Sequence, residues 1–111
     1  MSPPIDSTSL YGTLNLLVLQ AVSSGPLHGL AIARAIQARS KDVLKIEEGA
    51  LYPALHRLER DGLLASEWGT SENNRRAKFY RITVKGRKRL DREVEEWVRH
   101  TGAVRHLLGV D

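Results

Sequence analysis

Cysteine is absent from all 111 residues, which rules out a disulfide framework and any thiolate metal site and fits a reducing compartment. The opening MSPPIDSTSL has no basic stretch leading into an apolar one, and the longest apolar run, LNLLVLQAV, is too short to span a bilayer, so we expect a cytoplasmic protein. Internal repeats and low-complexity tracts are missing as well. So are a Gly-rich phosphate loop, a nucleophile elbow and a zinc signature. The four histidines, His28, His56, His100 and His106, lack metal-ligand spacing, and Glu47 and Glu48 read as first-turn charges that favour a helix dipole. No enzyme, cofactor or metal is expected.

What remains is one domain's worth of chain with 17 Lys and Arg against 13 Asp and Glu, a net charge of +4. A basic balance suits a polyanionic partner but also describes an ordinary solvated surface, so the pattern must decide. Residues 1–8 read as an arm. From Leu10 to Val22 the apolar residues, Leu14 and Leu17 among them, fill more than one side of a helix, which Ser-Ser-Gly-Pro at 23–26 stops. In so small a chain one side can face the core and another a second copy. A second helix is expected over 27–38, a short extended piece over 43–46, and a third helix ending at Asp61-Gly62. Residues 64–68 and 78–82 are β-prone runs around a polar loop, 69–77, and read as a hairpin. Thr83 then caps a last helix expected from Val84 to about His100 and ended by Gly102, with Leu90, Val94, Trp97 and Val98 at helical spacing.

Helix, helix, strand, helix, hairpin, helix is the order of a winged helix-turn-helix, a mainly α fold with a two-stranded wing. Its DNA-binding unit is expected over 9–83, with a C-terminal dimerisation helix and tail over 84–111. The third helix carries EEGALYPALHRLERDG, with Leu51, Leu55 and Leu58 on one face. The opposite face holds Gly49, Pro53, His56, Arg57 and Arg60, with Tyr52 at its edge. Pro53 is placed near the first turn, where backbone N–H groups lack partners. Gly49 and Ala50 are small enough for close approach to a groove, Tyr52 and His56 can hydrogen-bond phosphates or base edges, and Arg57 and Arg60 can reach the backbone. The alternative is a solvated amphipathic helix. Between Arg75 and Arg92 stand nine cations and one acid, Asp91. Arg75, Arg76 and Lys78 lie at or beside the hairpin tip, which a winged helix lays along DNA. For Arg87 to Arg92, solvation and pairing with Glu93, Glu95 or Glu96 compete with DNA contact.

PLHGLAIARAI, EEGALYPALHRLERDGLL and ENNRRAKFYRITVKGRKRL together resemble the PadR family of bacterial winged-helix regulators, in its short form with one C-terminal helix, across about residues 10 to 100. The resemblance implies a homodimer on operator DNA, usually a repressor, with the last helix against its partner and often a ligand-responsive cavity nearby. It also implies DNA contact by Tyr52, Arg75 and Arg76. This chain departs from the family pattern at Leu30, where Tyr often follows His-Gly. Trp97 has two readings, a core or interface aromatic or a group lining an effector cavity, and Trp68 is expected to pack the wing onto the helices. The runner-up to a DNA-binding regulator is a winged-helix protein-interaction module.

Overall fold

The computed structural model describes residues 13–110, so the arm expected at 1–8 and the helix start expected at Leu10 lie outside the described residues. The elements are α1 (Leu14–Ala21), β1 (Leu27–His28), α2 (Gly29–Arg39), α3 (Glu48–Arg60), β2 (Leu64–Thr70), β3 (Arg76–Ile82) and α4 (Val84–Leu108). Three helices enclose a core of Val18, Leu19, Ile32, Leu51, Leu55 and Leu58, and Leu64, Tyr80 and Leu90 close it from the wing and α4. Among the described residues no helix is long and apolar enough to cross a membrane.

Four local features differ from the sequence reading. Residues 27 and 28 are not helical: Leu27 pairs with Tyr80 and His28 with Phe79, adding a third strand in the order β1-β3-β2. The helix waits until Gly29 because His28 caps it, Nδ1 accepting the Ala31 N–H at 3.2 Å. The extended piece at 43–46 shrinks to a single bridge at Leu44.

The loop of the hairpin is also far shorter than 69–77, because β2 and β3 pair out to Thr70 and Arg76. Asn74 N–H donates to the Ser71 carbonyl and Asn74 itself takes φ 56°, which makes a tight turn followed by a left-handed residue of the kind that closes three-residue hairpins. Finally, α4 does not stop at Gly102. One interior glycine costs a helix only about 1 kcal/mol, and the break comes at Gly109, where φ is 72°. The helix is therefore 25 residues, about 37 Å, long.

Both ends of the α3–wing–α4 segment are fixed locally. At the end of α3, Leu63 N–H reaches back to the Leu58 carbonyl and Gly62 N–H to that of Glu59, with Gly62 at φ 76°. Thr83 caps α4 as expected, its hydroxyl oxygen accepting from Gly86 N–H at 2.9 Å while donating to the Gly62 carbonyl at 2.7 Å. Gly86 lies directly on the Leu63 carbonyl, where any Cβ would collide with backbone.

Candidate nucleic-acid interface

The alternation of the wing strands decides which side chains face α3. Leu64, Ser66, Trp68 and Thr70 share one face with their cross-strand partners Ile82, Tyr80, Lys78 and Arg76. Near the body of the domain this face is covered by α3: the Ser66 hydroxyl donates to the Glu59 carboxylate, and Lys78 pairs with the same carboxylate at 3.2 Å. The Ser66 hydrogen bond, aided by Lys78, holds the Glu59 carboxyl below its ordinary pKa. Farther out the face is left open, and Trp68 lies largely at the surface. It is 60% exposed and carries the Arg76 guanidinium over its ring at 4.9 Å, in place of the expected packing onto the helices.

A cleft of about 480 Å³ lies there between the wing and the helix pair. Tyr52, Leu30 and Trp68 form its walls, Arg75 and Arg76 its rim, and His28 lies at its floor. Tyr52 is 39% exposed, and its position depends on Gly29: a Cβ there would come within 2.8 Å of the ring Cε1 and 2.9 Å of the hydroxyl oxygen. His28 is held on three sides. Its backbone is in the sheet, its Nδ1 caps α2, and its ring meets Phe79 edge-on with centroids 5.5 Å apart. An Nδ1 that accepts a hydrogen bond leaves the proton on Nε2, which donates to the Glu72 carboxylate at 3.1 Å. Arg34 Nη1 lies 3.8 Å from the other oxygen, Oε1, of that carboxylate.

On α3, Leu51, Ala54, Leu55 and Leu58 are buried, while Gly49, Tyr52, Pro53, His56, Arg57 and Arg60 face solvent and Ala50 is half-buried. Pro53 does not sit in the first turn. The helix starts at Glu48, which puts Pro53 in the second turn, where its missing N–H leaves the Gly49 carbonyl without its usual partner. The position tolerates this because both residues face solvent. Arg75 and Arg76 are exposed at the wing tip, whereas Lys78 is half-buried against Glu59.

The basic run on α4 divides by role. Lys85 donates to the Asp61 carbonyl at 2.8 Å and Arg87 to the Ser23 carbonyl at 2.7 Å, so both strap α4 onto the ends of other helices, and Arg89 pairs with Glu93 at 3.8 Å. Of the six residues expected at a subunit interface, Leu90 is taken up by the chain's own core at 4% exposure, and Leu14 and Leu17 are half-buried. Val94, Trp97 and Val98 stay exposed, and the same stripe continues through Val104 to Leu108.

Sequence reasoning missed Gly29 and the His28–Glu72 contact. The His-Gly pair ahead of a helix was the available signal, since it joins a side chain able to cap with a residue that leaves room.

A helix pair with a twisted hairpin beside it and a cation-rimmed cleft between them defines a winged helix-turn-helix. The chain belongs to the PadR-like family of transcriptional regulators, whose model matches residues 18–92. It is 36% identical over 100 residues to the transcriptional regulator Rv3488 of Mycobacterium tuberculosis, covering 86% of this chain and 90% of that protein. A transcriptional regulator from Clostridium thermocellum superposes with a TM-score of 0.80 at 29% identity, covering 92% of this chain and 96% of that one. A PadR-like regulator from Bacillus cereus gives 0.79 at 25% identity, covering 95% of this chain and all of the other. The protein is thus a transcriptional regulator and not an enzyme.

Proposed function

We propose that the protein is a homodimeric repressor that occludes a promoter by binding a palindromic operator, acting in the cytoplasm. The observation that carries this reading is the cleft that places Tyr52 on α3 opposite the two exposed wing-tip cations, Arg75 and Arg76. A recognition helix at base edges and a basic tip on the backbone divide the work as DNA readers do, with phosphate contacts positioning and base contacts specifying. Gly49, Ala50, Pro53 and His56 lie on the face that enters the groove, with Arg57, Arg60 and Lys78 toward the backbone.

Val94, Trp97 and Val98 on the free length of α4, with Leu14 and Leu17 of α1 beside its base, support dimerisation through that helix, because a monomer would leave the α4 stripe in water. Trp97, 44% exposed, is the residue a small-molecule effector would meet between two such helices.

The test combines two measurements. Sedimentation at micromolar concentration should give twice the 12.4 kDa chain mass. Arg75→Ala with Arg76→Ala should weaken binding to every duplex and flatten the salt dependence by about one unit of logarithmic slope per lost phosphate contact. A monomer, or an unchanged slope, refutes the corresponding half of the proposal. Wild-type protein that binds no duplex but captures a partner protein would favour the interaction-module reading.

A further inference from the structure

The cleft that should receive DNA already holds an anion, and the chain itself supplies it. The Glu72 carboxylate lies 3.1 Å from His28 Nε2 and 3.8 Å from Arg34 Nη1, at the start of α2, and is 59% exposed. His28, by contrast, is nearly buried and fixed by the sheet, the α2 cap and Phe79, so its outward N–H points in one direction whatever lies in front of it. A fixed donor and a guanidinium converging on one oxyanion form a place for a singly charged tetrahedral or planar group. Glu72 reaches it only because the tight turn at 71–75 folds the wing tip back over α2. The lowered pKa of Glu72, set first by its own backbone N–H and then by His28, accords with a carboxylate that stays ionised there.

We propose that Glu72 is an internal stand-in for a DNA backbone phosphate: in the free chain it fills the anion place made by His28 and Arg34, and duplex binding exchanges it for a phosphodiester. The exchange links two events. The carboxylate leaves, which frees the wing tip from α2, and the phosphate that replaces it takes the His28 N–H and the Arg34 charge. Glu72 thereby lowers affinity for any duplex that cannot put a phosphate at that point, and it keeps the cleft closed to stray polyanions. This inference rests on the DNA-binding reading above and deepens it.

The experiment measures binding to one fixed duplex at low salt, with thermal melts confirming that each variant folds. Glu72→Gln keeps the shape of the side chain and removes the charge, so affinity should rise by about 2- to 5-fold, the range that release of one exposed ion pair spans. Glu67→Gln, a carboxylate on β2 in the same cross-strand row as His28 but with Phe79 of β3 between them, reports the general effect of deleting one negative charge from the wing and should give a smaller gain. The decisive arm is the background His28→Asn with Arg34→Gln, in which Asn still caps α2 but the anion place is gone. There Glu72→Gln should gain no more than Glu67→Gln does. Equal gains in both backgrounds, or a loss of affinity in Glu72→Gln, overturn the exchange while leaving DNA binding intact. Wild-type protein that binds no duplex overturns both.

Discussion

Replacing Gly29 by Ala adds one methyl group, and its consequence can be worked out from the cleft. The new Cβ would lie 2.8 Å from Tyr52 Cε1, 2.9 Å from its hydroxyl oxygen and 3.0 Å from Cζ, whereas unstrained carbon contacts fall at about 3.5 to 4 Å. Relief requires the ring to retreat by about 0.7 to 1 Å. The ring can do so toward the cleft it lines, because Tyr52 is 39% exposed, so the backbone need not move.

Stability should therefore change little: the helix-forming gain of Ala over Gly, at most about 1 kcal/mol, offsets residual strain. The thermal midpoint should stay within about 5 °C of wild type. Binding is another matter. A hydroxyl displaced by about 1 Å cannot keep a hydrogen bond to a phosphate or base edge, and such a bond to a charged acceptor contributes about 1.5 to 3 kcal/mol, or about 10- to 150-fold in affinity.

Fluorescence anisotropy on a labelled duplex should show Gly29→Ala and Tyr52→Phe losing comparable affinity, and the double variant losing no more than the worse single one. Wild-type binding by Gly29→Ala, or strictly additive losses, would refute the idea that Gly29 exists to seat this ring.

At Gly86 the same substitution should have the opposite signature, because the obstacle is the Leu63 backbone carbonyl with Ile82 Cγ1 at 2.9 Å, and neither can swing away. Gly86→Ala should cost about 3 kcal/mol and lower the thermal midpoint by more than 10 °C, measured by circular dichroism. The depressed pKa of Glu59 means that its contact with Ser66 adds stability above the ordinary carboxylate value of 4.5 and loses it as pH falls through the lower folded value; Glu59→Gln should flatten the acid limb of a stability–pH curve, and an unchanged limb would show that the contact contributes nothing. On the DNA side, α3 offers no Asn or Gln for bidentate pairing with adenine, so half-site spacing should dominate recognition of a palindromic, A·T-rich operator. Lengthening the spacer by one to five base pairs should cost more than any single base change; spacer changes under about 1 kcal/mol beside a base change over about 3 would refute this.

Much of the architecture was legible because it is periodic or punctuated. Leu51, Leu55 and Leu58 mark the buried face of α3, and the Thr83 cap and the stop at Gly62 fix the ends of the wing segment. The boundaries that moved were set by pairing between distant residues. Leu27 and His28 become a strand only because Phe79 and Tyr80 pass beside them, and Thr70 and Arg76 extend the wing because Asn74 accepts a left-handed conformation. Trp68 failed for a related reason: alternation gives its face correctly but not how much of that face the helices cover. In the cleft, Tyr52, Arg75 and Arg76 could be named from their types and positions, whereas the ring seat at Gly29 and the carboxylate at His28 depend on segments more than twenty residues apart in sequence.

The glycine seat at the base of α4 also sets an angle. With Gly86 pressed on the Leu63 carbonyl, Leu90 in the core and Arg87 tied to Ser23, the first turns of the helix cannot pivot on the domain. The remaining 18 residues to Leu108 project about 27 Å as a rigid arm. If two such arms meet as proposed above, an error of about 10° at the base becomes a displacement of about 5 Å at the far end, more than the 3.4 Å between neighbouring base pairs. In the proposed homodimer, contact between Gly86 and a carbonyl at the root of the arm would thus work as a protractor, converting close packing inside one subunit into the separation of two reading heads on a duplex.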